Sequence, residues 1–303
     1  MLHNDHALFE QVILRVSEDT GIEASIIEKD YYVTLFLQRI VAQLPNIIFK
    51  GGTSLSKCYK LINRFSEDID LNLETETHPT EGQRKKLKEV IMSIIDEFGF
   101  TLTNPENVRS RRDYNRYVVD YPTIFPTSYL KEHLIVETAV YIKAYPCQRM
   151  FASSLIRDYL ERNGYTELIE QYGLHPFELK VQTAERTLVD KVFALGDYYL
   201  SDAVHEHSRH VYDIYKLLAV VTLDDSMKEL VGRVREERKP HVNCRSAKDG
   251  IDMNVLLQEI VSKAVYKQDY EDITAKILFE DVPYETAAAA LQKIIDSGIF
   301  SFT

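Results

Sequence analysis

One stretch limits the folds open to this chain more than any other: Asn46 to Leu73 reads as strand, glycine pair, helix and returning strand. Asn46-Ile47-Ile48-Phe49-Lys50 is a short apolar run closed by Gly51-Gly52, the pattern of a buried strand that ends in a turn. From Thr53 the period changes. Leu55, Cys58, Tyr59 and Ile62 fall at i, i+3, i+4 and i+7, one face of a helix. Asn63 to Ser66 reads as a turn, and Asp68-Ile69-Asp70-Leu71-Asn72-Leu73 alternates polar with apolar at strand period. The spacing predicts a helix of about ten residues, running out roughly 15 Å before the second strand returns beside the first.

The chemistry of this unit follows from its residue types. Two glycines permit positive φ and let a ligand approach the backbone closely. A helix start supplies free N–H groups and a positive dipole end, which suit an anion. Asp68 and Asp70, two apart on a strand, point to one face roughly 6.5–7 Å apart. Two hard carboxylates beside a phosphate cradle suit Mg²⁺, which takes one or two protein carboxylates and completes its octahedron with phosphate oxygens and water. Two such ions about 3.5–4 Å apart serve the attacking and leaving oxygens of an in-line phosphoryl displacement. Taken alone, a Gly-Gly turn or an acidic strand edge is commonplace; their conjunction on one strand–helix–strand unit is what points to a site. A P-loop is excluded, because Ser56 stands where its second glycine belongs and Cys58 where its hydroxyl belongs.

The rest of the chain frames this unit. The first 45 residues read helical, with Ile26, Ile27, Tyr31 and Leu35 at helical spacing. A helix is expected near Glu81 to Phe98, strands at Asn115 to Tyr121, Leu134 to Tyr141 and Phe177 to Val181, and helices at Ala184–Leu195, Ser208–Leu218, Val255–Ala264 and Tyr284–Ser297. The stretch from Arg233 to Gly250 reads as an exposed loop. An α/β part over 1–180 followed by a helical part over 181–303 is the expected organisation. Cys58, Cys147 and Cys244 lie far apart without a C-x-x-C spacing, which excludes a disulfide scaffold and a thiolate zinc site and suits a reducing cytosol. The first residues lack the basic and apolar regions of a secretory leader, and no apolar run approaches the ~20 residues needed to span a bilayer. A cytoplasmic protein without membrane contact is expected.

Lys50-Gly51-Gly52-Thr53-Ser54-Leu55, followed by Arg64-Phe65-Ser66-Glu67-Asp68-Ile69-Asp70-Leu71, closely resembles the AbiEii/AbiGii toxin family, bacterial proteins of the DNA polymerase β-like nucleotidyltransferase superfamily. The resemblance implies an α+β fold: a nucleotidyltransferase-like mixed β-sheet with flanking helices, then a mainly α-helical C-terminal domain. It also implies that Gly51, Gly52, Thr53 and Ser54 meet the nucleotide phosphates and that Asp68 and Asp70 ligate metal. Superfamily members place a third carboxylate on a later strand. Glu137, in the otherwise apolar run Leu134 to Val140, is the candidate, since an acid there is costly to bury unpaired. Arg64 is a candidate phosphate clamp, because a guanidinium suits paired oxygens; the alternative is an arginine on a turn surface.

Two further matches lie in the helical half. Thr183 to Lys191 is similar to the family's helix carrying a functional lysine, and Lys191 independently stands out. It shares a stripe with Ala184, Leu188 and Leu195, where a lysine is unusual unless it snorkels. Ser208 to Asp213 resembles the signature whose last acid is functional. Asp213 is thus a candidate base, the alternative being a local pair with Arg209 and Lys216. Glu28-Lys29-Asp30-Tyr31-Tyr32-Val33 is also similar to the family and is read as structural. His205, His207 and His210 do not share a helix face and read as a solvated helix start rather than a zinc site.

Together these readings predict a transferase that uses Mg²⁺ or Mn²⁺ to move NMP from an NTP to an acceptor hydroxyl. The resemblance implies a toxin of a toxin–antitoxin or phage-defence pair, with tRNA as acceptor and a separate antitoxin protein. The alternatives are a nucleotide-binding module that acts by partner contact, or a transferase that modifies a protein or small molecule. Lys+Arg 36 against Asp+Glu 47 leaves a net charge of -11, so an RNA must be held by local cations. Two clusters offer them: Arg109, Arg111, Arg112 and Arg116 with Tyr114 and Tyr117, and Arg233, Arg235, Arg238, Lys239, Arg245 and Lys248.

Overall fold

The computed structural model describes residues 1–127 and 133–302 and divides into two compact units. The first is Met1–Cys58 with Ser66–Val181; the second is Tyr59–Phe65 with Gln182–Thr303. The mixed sheet with flanking helices and the helical second part match the α+β architecture expected.

In the first unit, helices α1 (His6–Thr20) and α2 (Ala24–Gln43) precede β1 (Ile47–Lys50), α3 (Gly51–Lys57) and β2 (Ile69–Leu73). Helix α4 (Glu81–Glu97) and strands β3 (Thr101–Leu102), β4 (Tyr114–Asp120), β5 (His133–Ala139) and β6 (Cys147–Ala152) follow, then α5 (Leu155–Arg162), α6 (Thr166–Tyr172) and β7 (Phe177–Gln182). The seven strands form one sheet in the order β3-β4-β5-β2-β1-β7-β6. β2 runs antiparallel to β1 and parallel to β5, and β4 is antiparallel to β5. Helices cover a sheet of this kind, so its central strands are apolar on both faces: Ile47, Ile48, Phe49, Ile69, Leu71, Leu134, Ile135 and Val136 are all buried. Local chemistry sets the helix ends. The Asp5 side chain accepts from Leu8 N and Gly21 closes α1 in the left-handed region, while Thr80 and Gln83 form a reciprocal capping box on α4.

The second unit contains α7 (Ala184–Leu200), α8 (Arg209–Leu217), α9 (Asp225–Arg238), α10 (Met253–Ser262), α11 (Lys267–Asp272) and α12 (Tyr284–Ser297). Gly196 lets α7 press close to its neighbours, since a Cβ there would lie 2.8 Å from both Met253 Cε and Ser246 Cβ.

Three sequence readings need revision. The helix expected from Thr53 to Ile62 begins at Gly51 and ends at Lys57. Beyond Lys60, which takes positive φ, the chain pairs within the second unit instead: Phe65 N donates to Ile277 O at 3.0 Å and Phe279 N to Asn63 O at 2.9 Å. Those partners satisfy backbone groups that a helix would have used. The expected loop from 233 to 250 starts as the last turns of α9, and Arg238, Cys244, Ser246 and Ala247 in it are buried. Finally β3, β6, α5, α6, α9 and α11 were not anticipated; β6 is an edge strand with an irregular burial pattern, so no alternation marks it.

Candidate active site

The glycine turn and the paired aspartates form one packed element. Gly51 has φ +78°, and a Cβ on it would lie 2.0 Å from Asp70 Oδ2 and 2.8 Å from Asp70 Cγ. The antiparallel register that pairs Lys50 with Asp70 brings them together. Only glycine fits here, on both conformational and steric grounds. Gly51 and Gly52 are half-buried, whereas Thr53 and Ser54 are buried. The Thr53 and Ser66 hydroxyls lie 3.0 Å apart, and Ser54 Oγ donates to Gly51 O at 2.8 Å. The two hydroxyls assigned to phosphate thus brace the turn from inside, and Gly51 and Gly52 are its half-exposed residues.

Asp68 stands just before β2 and Asp70 within it, both half-buried. The parallel register sets Glu137 of β5 opposite Asp70. Burial and the negative charge of Asp68 push the Glu137 carboxyl above the usual carboxylate range. Arg116, its register partner on β4, brings Nε to 3.6 Å from Glu137 Oε1, and the Tyr114 hydroxyl bonds to Glu137. Mutually repelling carboxylates on adjacent strands are a donor set that a cation stabilises. Among the described residues no group of three or more His, Cys, Asp or Glu is gathered tightly enough to hold a metal by itself. Asp68 and Asp70 are hard oxygen donors of the kind Mg²⁺ takes one or two at a time.

The candidates in the helical half come together within the second unit. Asp213 is fully buried and both its oxygens are engaged: Oδ1 accepts from Arg64 Nε at 2.7 Å, and Oδ2 accepts from Arg64 Nη2 at 2.7 Å and from Lys191 Nζ at 2.6 Å. Two cations hold the Asp213 carboxyl well below its ordinary range despite its burial, and burial lowers the Lys191 ammonium. This arrangement sets aside three of the alternatives open from sequence. Arg64 is 4% exposed, so it is not on a turn surface, and its fork faces Asp213 rather than a free phosphate site. Lys191 ends on Asp213 instead of snorkelling to solvent. Asp213 pairs with residues far away in sequence rather than with a local lysine, since Lys216 binds Glu280. A carboxylate so stabilised in its ionised form is a weak base.

A family model described as "Nucleotidyl transferase AbiEii toxin, Type IV TA system" matches residues 35–293. The chain belongs to the AbiEii family. Membership places it among the nucleotidyltransferase toxins of type IV toxin–antitoxin systems. No curated protein sequence matches it. The AbiEii match spans both units and includes Gly51 to Ser54, Asp68, Asp70, Glu137, Lys191 and Asp213, with α1 and the first half of α2 outside it. No helix among the described residues is long and apolar enough to cross a membrane.

The basic clusters of this AbiEii chain are largely committed internally. In the second, Arg238 pairs with Asp197 at 2.5 Å, Lys239 with Asp249 at 2.8 Å, and Arg245 and Lys248 donate to backbone carbonyls. In the first, Arg111 pairs with Glu81 at 2.7 Å, Arg112 donates to Asn107 O, and Tyr117 is buried. Arg116 and the 43% exposed Tyr114 remain on the Glu137 face. Sequence reasoning grouped all six residues; the period of two along β4, which separates Tyr114 and Arg116 from Tyr117, was the signal that sorts them. The histidines are not a simple solvated helix start, for His207 stacks on Tyr198 with ring centroids 3.5 Å apart.

Proposed function

We propose that this AbiEii protein is a Mg²⁺-dependent nucleotidyltransferase that moves NMP from an NTP to a hydroxyl of an RNA acceptor, with tRNA the first candidate. The observation that carries the reading is the contact of Gly51 with the Asp70 carboxylate. It joins a backbone turn open to phosphate with two hard oxygen donors in one element. Asp68 and Asp70 would hold the ion, with Glu137 beside them on β5 rather than as a direct ligand, and the backbone of Gly51 and Gly52 would meet the triphosphate. Bound there, the ion would neutralise charge on the transferring phosphoryl group. Thr53 and Ser54 act by holding the turn in shape. Tyr114 and Arg116, beside Glu137, suit the acceptor end, where an aromatic face and a guanidinium can stack on a base or meet a phosphate.

In the second unit Lys191 is the buried cation, paired with Asp213. Arg64 and Asp213 hold that lysine in place, so both are positioning residues. The toxin would act in the cytoplasm beside a separately encoded antitoxin protein. Incubation with each α-labelled NTP, Mg²⁺ and total tRNA tests the reading: label on RNA with pyrophosphate released is expected, and Asp70→Ala should abolish it. Tight NTP binding without transfer would establish the binding-module alternative, and label on protein or a small molecule would replace the RNA acceptor.

A further inference from the structure

Helix α2 carries Glu28, Lys29 and Asp30 in succession, and each is tied to a different segment of the first unit. Side chains of consecutive helical residues point about 100° apart, so three in a row reach three neighbours. Glu28, fully buried, accepts from Ile124 N at 2.8 Å, Phe125 N at 3.1 Å and Thr123 Oγ1 at 2.7 Å. Lys29, 1% exposed, forms an ion pair with Glu67. Asp30 accepts from Lys57 Nζ at 2.6 Å and from Leu155 N at 2.8 Å. Burying a lysine mid-helix is costly unless it is paired, so the pair with Glu67 calls for an account.

The chain positions of the partners supply one. Glu67 immediately precedes Asp68, and Lys57 is the last residue of the helix that begins at Gly51. Two adjacent side chains of one helix therefore hold the aspartate strand and the far end of the glycine-led helix. We propose that Lys29 and Asp30 are positioning residues that set the glycine turn against the Asp68–Asp70 pair and thereby tune its cation affinity. The ammonium of Lys29 also answers the charge of Glu67, so that a cation at Asp68 and Asp70 is not shared with a third neighbouring carboxylate. The inference rests on the proposed metal site, and its test reads metal binding directly.

Mn²⁺ binding to the intact protein is measured by titration calorimetry and by spin resonance, alongside kcat, KM for NTP and the thermal midpoint. Lys29→Met and Asp30→Asn should weaken Mn²⁺ binding about tenfold or more, the usual effect of removing an outer-shell partner, and lower kcat more than they raise KM. Lys29→Arg should recover most of the affinity. Lys29→Met paired with Glu67→Leu replaces the ion pair by apolar groups, a change that buried pairs tolerate, and so serves if Lys29→Met does not fold. That double variant should fold and still bind Mn²⁺ weakly. Wild-type Mn²⁺ affinity and kcat in a folded Lys29→Met or double variant would overturn the tether while leaving the transferase reading intact. A wild-type protein that neither binds Mn²⁺ nor transfers NMP would overturn both.

Discussion

Replacing Gly51 by alanine tests the central contact. At φ +78° an L-residue bears roughly 1–2 kcal/mol of backbone strain. Its methyl would lie 2.0 Å from Asp70 Oδ2, 2.8 Å from Cγ and 3.1 Å from Cβ, so Asp70 must leave its rotamer or β2 must move, at about 1–3 kcal/mol. Alanine recovers about 0.4–1 kcal/mol by restricting the unfolded chain, which leaves a net loss of about 1–5 kcal/mol. Urea denaturation of wild type, Gly51→Ala, Asp70→Ala and the double variant apportions it. Asp70→Ala removes Oδ2 and Cγ, leaving backbone strain as the main cost, so Gly51→Ala should cost at least about 1 kcal/mol less in that background. Gly82→Ala is the control, because its Cβ would meet nothing nearer than Thr80 Oγ1 at 3.9 Å. Equal losses in both backgrounds, or a Gly51→Ala protein within about 0.5 kcal/mol of wild type, would refute the contact argument. In the transfer assay Gly51→Ala should lose activity even where it is folded, since the displaced carboxylate is a proposed metal ligand.

Arg64→Met should destabilise the protein by about 3–5 kcal/mol, read by urea midpoint, because it removes the fork from a fully buried carboxylate; Arg64→Lys should cost less. Asp213 is depressed by its cations, so its stabilisation is full above the ordinary carboxylate pKa and is lost as pH falls. The difference between wild type and Arg64→Met should therefore shrink below about pH 4. Gly196→Ala should cost about 1–3 kcal/mol by overpacking against Met253 and Ser246, with partial rescue by Met253→Ala. His3, buried, is pulled down from 6.5 to about 4, so the unfolded chain binds its proton first on acidification. Charging His3 inside the fold is disfavoured by its burial, so stability falls as pH drops from 6.5 to about 4 and is insensitive to this group above 6.5. Thermal melts across that range should show a slope that His3→Gln flattens.

The strand, the glycine pair and the aspartate strand were legible because their signals are local: an apolar run, two glycines, and period two from Asp68 to Leu73. Even there the helix between them was read five residues too far at its end, since the pattern through Ile62 imitates a helical face while pairing with Ile277 and Phe279 decides otherwise. Lys191 was conspicuous as a charge on an apolar stripe, but its destination was invisible. Asp213 lies 22 residues away from it and 149 from Arg64, beyond any helical or strand neighbourhood.

The sequence by itself determined the strand–glycine–helix–strand order of the central unit, the need for glycine at a turn, and the residue types that suit a cation and a phosphate. Tertiary structure alone decided how those charges are used. It turned Thr53 and Ser54 inward, aimed Arg64 at Asp213, and engaged most of the basic residues from 233 to 248 with carboxylates or backbone carbonyls. It also set Lys29 against Glu67. Periodicity reports which face a residue occupies, whereas the partner a charged group meets there depends on chain segments whose approach only folding brings about.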